Sequence, residues 1–175
     1  YDDEAINNMF SNRYVTGAGK KYITADIARF GKDTTSIWLW EGWKATLLKC
    51  LKNTDLLEIN PKTGKPKGLV KVYEEIEKAR LRHEIPMSRV IVDQDGVGGG
   101  PADMGGYVPF MNQERAKNGE NYNSIKDQCA FLMAEKVNAD EIYVVLTNNN
   151  LKDRFKRELS LLKDVTDGLD AKKKV

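Results

Sequence analysis

Hydrophobic and polar positions follow two regimes along the chain. Up to about residue 52, apolar, aromatic and β-branched residues are dense, broken only by short polar spacers at "FGKD" and "EGW". This pattern predicts strands over 20–29, 34–41 and 43–52. Spacers so short suit antiparallel neighbours, hence a three-strand meander. After the turn-rich "NPKTGKPKG" at 60–68 the period changes. Leu69, Val72, Tyr73, Ile76 and Ala79 recur at helical spacing, which predicts a helix over about 69–84, stopped by Pro86. "RVIVD" at 89–93 is apolar without alternation, the pattern of a central parallel strand buried on both faces. Ile125, Cys129, Leu132, Met133 and Val137 mark a second helix, with Asn123 or Ser124 as its N-cap. "EIYVVL" at 141–146 reads as a strand, and Leu151, Phe155, Leu159 and Leu162 as a third helix.

The ends are less regular. Residues 1–19 read as a lead-in or linker with one helical turn in "DDEAINNMF", followed by a folded part over 20–175. "DVTDGLDAKKKV" carries an Asp-Gly turn signal and opens a hairpin whose second arm is cut short. The order of elements implies an α/β fold. Its mixed sheet joins an antiparallel three-strand meander to parallel strands and is flanked by helices on both faces.

Composition narrows the class. With 175 residues and 41% hydrophobic content the chain is expected to fold around its own core. A net charge of +2 leaves a nucleic-acid partner open, since a local basic groove can hide in a balanced total. Cys50 and Cys129 lack CxxC spacing and read as reduced thiols of a cytosolic protein. No apolar run approaches the ~20 residues of a membrane span, and no membrane partner is expected. The acidic start lacks both a signal-peptide pattern and an initiator methionine, so the chain reads as a piece of something longer.

The chemistry centres on two carboxylates. Asp26 interrupts the first strand and Asp93 ends the fourth. If these strands are adjacent and parallel, their ends lie about 5 Å apart. Two carboxylates that close need a cation between them, or one must take up a proton. A hard divalent ion such as Mg²⁺ meets that need, and a pair of such ions hydrolyses phosphodiesters. The competing reading is structural: a strand-end Asp caps a turn or pairs with Arg29 or Arg89. "GKDTT" and "DGVGGG" follow the two acids, as loops do at the carboxyl ends of strands in α/β sheets. A plain linker explains the glycines equally well. "GAGKK" at 17–21 lacks the full phosphate-loop spacing and precedes a strand, so it is no ATP site.

Three blocks together resemble the nuclease domain of tailed-phage terminase large subunits: "YITADIARFGKDTTSIWLWEGW", "VIVDQDGVGGG" and "NYNSIKDQCAFLMAEKVNADEI". The resemblance runs from about residue 5 to the end. It implies a ribonuclease H-like fold and an endodeoxyribonuclease that cuts concatemeric double-stranded DNA during packaging, with Mg²⁺ or Mn²⁺ in a two-metal site. It assigns Asp26 and Asp93 as catalytic metal ligands, with Asp33, Asp95 and Asp103 as additional acids. It further implies an ATPase domain before residue 1, a third acid past Val175 in a motif like "SPDxxD", and portal and small-subunit partners. Asp164, Asp167 and Asp170 are poor substitutes for that acid, so two of three ligands are expected here. The implied setting is the cytoplasm of a bacterial host, in a phage- or prophage-encoded protein.

Phosphate contacts are expected from Arg29, Lys32 and Lys126, with Lys20, Lys21 and the 172–174 lysines as weaker candidates. Trp38 and Trp40 share a strand face and read as packing rather than as a base-stacking platform. His83 ends a helix and is given no catalytic role. Two other functions compete. Actin-like ATPases and sugar kinases place an Asp, a glycine and threonines in a similar turn. A non-catalytic module docking on a portal or procapsid needs no acids at all.

Overall fold

The computed structural model of the chain describes residues 1–28, 34–65, 67–93, 100–166 and 171–175. In chain order the elements are α1 (Asp3–Asn8), β1 (Lys21–Asp26), β2 (Thr34–Glu41), β3 (Lys44–Lys52), α2 (Leu69–Arg82), β4 (Val90–Asp93), α3 (Pro101–Gly105), β5 (Val108–Phe110), α4 (Ile125–Asn138), β6 (Tyr143–Val145) and α5 (Asn149–Ser160). They form two compact units, one of Gly17–Phe110 and one of Tyr1–Thr16 with Met111–Val175. Of the segment 1–19 read from the sequence as a lead-in, residues 1–16, with α1, group with Met111–Val175, and residues 17–19 with the other unit.

The unit of Gly17–Phe110 is built on a mixed sheet. β1 pairs antiparallel with β2, β2 antiparallel with β3, and β1 parallel with β4. β5 then adds parallel to β4, giving the order β5-β4-β1-β2-β3. The expected meander and central parallel strand are present. One face of this sheet carries Ile23, Ala25, Ile37, Leu39, Val90 and Val92, all buried in a core with Val72 and Ile76 of α2. The alternation of the strands selects that face, and the 3.6-residue period of α2 presents a matching stripe.

Side-chain networks fix α2 in place. Glu77 accepts two bonds from Arg80, both 2.7 Å, and a third from the Tyr107 hydroxyl. Tyr107 therefore ties the α3–β5 connection to α2, and its ring stacks on Tyr73. A Cβ on Gly105 would fall 2.2–2.5 Å from the Tyr107 ring, so only glycine admits that tyrosine. On the other flank Glu58 pairs with Lys67 at 2.9 Å and with Lys71, which also reaches Glu75. These pairs, with the Lys67 N–H bonded to Glu58 O and the Gly68 N–H to Leu56 O, hold the 53–65 segment against α2.

In the unit of Tyr1–Thr16 with Met111–Val175, Ser124 is the N-cap of α4, its hydroxyl accepting the Asp127 N–H at 3.2 Å. Buried Asn12 donates to Asp140 O and Ile142 O, and the Val144 N–H donates to Met9 O. These bonds join the N-terminal segment to β6. The Val165 N–H reaches Lys174 O, as a hairpin closing there would require. Residues 167–170, which carry the Asp-Gly signal, lie outside the described residues. No helix among the described residues is long and apolar enough to cross a membrane.

Replacing Ile76 by Ala is expected to cost about 2–5 kcal/mol in urea-denaturation stability, since the side chain is fully buried. The hydrogen bonds from Lys71 and Lys67 hold the Glu58 carboxyl down at about 2, against an ordinary 4.5. Its stabilising effect is therefore complete above about pH 4.5 and is lost as pH falls toward about 2. NMR amide shifts of Lys67 and Gly68 are expected to collapse toward random-coil values in that window, earlier at high salt.

Candidate functional site

β1 and β4 run parallel with Ile23 beside Val90, Thr24 beside Ile91 and Ala25 beside Val92. The next pair at the same offset is Asp26 and Asp93, the last residues of the two strands. Alternation puts both on the face opposite the buried core, with Thr24 and Ile91. Asp26 is exposed and Asp93 half-buried. On the far side of β1, Asp26 lies opposite Ser36 of β2.

The residues around Asp26 explain why the strand stops there. Ile27 and Ala28 remain buried but leave the ladder. The Ala28 N–H is taken up by the Thr35 hydroxyl at 3.1 Å, and Thr35 is almost wholly buried. One of the two threonines downstream of the aspartate therefore satisfies a buried backbone donor. On the aspartate face the Trp40 indole N–H donates to Thr24 Oγ1 at 2.9 Å, and the Trp38 N–H to Ser36 Oγ at 3.1 Å. Both indoles are half-buried, as packing residues are.

The other sequence candidates are distributed as follows. Asp103 is exposed on α3 in the same unit. Lys126 is exposed in the first turn of α4, in the other unit. Asp33, Asp95, Arg29 and Lys32 lie outside the described residues, as do Asp167 and Asp170. Asp164 caps the Thr166 N–H at 2.8 Å. Among the described residues no three His, Cys, Asp or Glu side chains gather as a metal site. Two carboxylates at one level of adjacent strands supply the hard oxygen donors a divalent ion prefers.

One group was missed by sequence reasoning. Asp127 is buried, and burial alone would raise its pKa. Bonds from Ser124, the Val175 N–H and Asn123 outweigh that and hold it below the usual carboxylate range. The Ser-x-x-Asp spacing at 124–127 was the available signal. The C-terminal end of α2 would favour a protonated His83. Burial, then the charges of Arg82 and Lys21, instead push its pKa down, against a smaller pull from Glu41.

No family model and no curated protein sequence matches the chain. Solved structures do. The nuclease domain of the large terminase subunit of bacterial virus Sf6 superposes with a TM-score of 0.72 at 10% identity, over 99% of this chain and 85% of that one. A point mutant of that subunit solved with calcium gives 0.70 at 10% identity, over 99% and 86%. A mutant nuclease domain solved with manganese and β-thujaplicinol gives 0.70 at 11% identity, over 99% and 85%. The chain has the ribonuclease H-like fold that these terminase nuclease domains share.

Thr35→Val is expected to cost about 1–3 kcal/mol in chemical denaturation, because it strands the Ala28 N–H in a dry site. Thr35→Ser, which keeps the hydroxyl, is expected to cost less.

Proposed function

We propose that this chain is the metal-dependent endonuclease domain of a viral DNA-packaging terminase. It cuts concatemeric double-stranded DNA by phosphodiester hydrolysis with two Mg²⁺ or Mn²⁺ ions. The observation that carries this reading is the parallel register of β1 with β4, in which Asp26 and Asp93 end neighbouring strands at one level. Its fold is shared with nuclease-domain structures, two of them solved with manganese.

Asp26 and Asp93 would hold the ion, since two carboxylates at adjacent strand tips repel each other without a cation. The chemistry supplied by a bound divalent ion is polarisation of a phosphoryl oxygen and acidification of water. The chain's own part is to fix both carboxylates on rigid strand ends, so that little reorganisation accompanies reaction. Ser36 and Thr24 border Asp26 on the same face with hydroxyls already bonded to the two tryptophans. That packing restrains the strand carrying the carboxylate. Arg29, Lys32 and Lys126 are the residues proposed to neutralise phosphates, and Asp33, Asp95 and Asp103 to add acidic donors. An ATPase domain of the same polypeptide, a portal and a small subunit complete the proposed setting.

Supercoiled plasmid with Mn²⁺ is expected to be nicked by the chain. Asp26→Asn and Asp93→Asn should each lower the rate by more than roughly 100-fold, beyond the usual cost of losing an outer-sphere partner. Their melting temperatures should stay near that of the parent. Calorimetric Mn²⁺ binding should vanish in the double variant. Undiminished cutting by Asp26→Asn would remove the site assignment.

A further inference from the structure

At the opposite end of the same two strands the chemistry reverses sign. Gly19, Lys20, Lys21, His83, Glu84 and Arg89 line a shallow cleft of about 420 Å³. Lys20 and Lys21 stand at the start of β1, and Arg89 directly precedes β4. Because these strands are parallel neighbours, their cations converge at the two strand mouths. Three cations face one carboxylate in the lining, Glu84. Outside it Lys21 shares Glu41 with Lys44, at 3.7 and 3.6 Å. Burial, then the charges of Arg82 and Lys21, lower the pKa of His83, against a smaller pull from Glu41.

The rim is held rigidly. A Cβ on Gly42, which has φ +60, would fall 2.6 Å from Ala18 O, and one on Gly17 would fall 2.9 Å from Glu41 Cβ. The 17–18 backbone is therefore seated on the β2–β3 turn, which aims Lys20 at the cleft. The "GAGKK" segment, no ATP loop by its spacing, here supplies Gly19, Lys20 and Lys21. The far wall is the C-terminus of α2. Glu84 takes the left-handed position there, with its N–H on Leu81 O at 3.2 Å and the Ile85 N–H on Arg80 O at 2.9 Å.

We propose that this cleft is a phosphate-recognising site that seats a backbone phosphate of a DNA duplex. Its cations are spread over two strand starts, an arrangement suited to the repeated charges of a polyanion. Arg89 offers a planar donor fork and the lysines mobile point charges, a pairing that serves a tetrahedral oxyanion. The site lies roughly 17 Å along β1 from Asp26. Where the chain cuts DNA, the contact falls a few phosphates along a strand from the cut. Phosphate recognition itself does not depend on the nuclease reading.

The sole histidine of the chain makes the test direct. The His83 imidazole proton is followed by NMR against pH in EDTA, with and without a short duplex, so that cleavage plays no part. The midpoint is expected to rise by about 1 unit with duplex, as when an opposite charge comes close. The charged neighbours that set the baseline are Arg82, Lys21, Lys20, Arg89, Glu41 and Glu84. Lys20→Gln and Arg89→Gln should each diminish that rise and lower the salt slope of duplex binding by about one. Lys62→Gln, an exposed lysine outside the cleft, should leave the His83 response unchanged. Asp26→Asn should also keep it, so that failure here and failure of the nuclease reading are separable. A midpoint unmoved by duplex, or moved equally in Arg89→Gln, would overturn the proposal. So would a response to poly-glutamate alone, which would mark an acidic protein partner, or to inorganic phosphate alone, which would mark a small-anion site.

Discussion

The parallel pairing of Ile23, Thr24 and Ala25 with Val90, Ile91 and Val92 is the constraint on which the molecule's chemistry depends. Side chains alternate with a period of two, so a slip of one residue would carry a whole strand's side chains to the other face. The slip is blocked because Ile23, Ala25, Val90 and Val92 share one core with α2. Burying those four fixes the register, and the register brings Asp26 and Asp93 to the same level. The hydrophobic effect thereby sets the relation of two carboxylates that take no part in the core.

The same pairing accounts for the polarity of the sheet. Parallel neighbours bring like ends together, so whatever lies at their carboxyl ends is gathered on one side and whatever lies at their amino ends on the other. Here the carboxyl ends carry acids and the amino ends carry Lys20, Lys21 and Arg89. An antiparallel partner would have mixed the two sets. The surrounding networks keep this frame rigid. Glu77 gathers Arg80 and Tyr107, Glu58 gathers Lys67 and Lys71, and Thr35 takes up the Ala28 N–H where β1 stops. The first two tie neighbouring segments onto α2, and the third closes the end of β1.

Long periodic segments were readable from sequence because burial writes its period into them. β2 and β3, the run Leu69–Arg82, the helix capped by Ser124 and the helix from Asn149 all appear close to their expected bounds. Short elements were not. α3 and β5 hold five and three residues, too few for any period to register. Their positions come from Tyr107, whose anchor Glu77 is remote in sequence. β1 ends at Asp26, although the apolar Ile27 and Ala28 suggested a longer strand. These two stay buried through tertiary contacts and a side-chain hydrogen bond, and neither leaves a local signature. Asp127 resembled an ordinary first-turn acid, and only the approach of the Val175 N–H distinguishes it.

The sequence alone determined the alternation of the meander, the change of period at residue 69 and the two acids ending apolar runs. These are local properties, dictated by which side chains lie within a few positions of one another. It could not determine that β4 joins the sheet beside β1, that Arg89 meets Lys20 and Lys21 across a cleft, or that burial lowers the pKa of His83. Those outcomes depend on residues distant along the chain. Strand adjacency, desolvation and summed charge arise only when the core closes and brings such residues together.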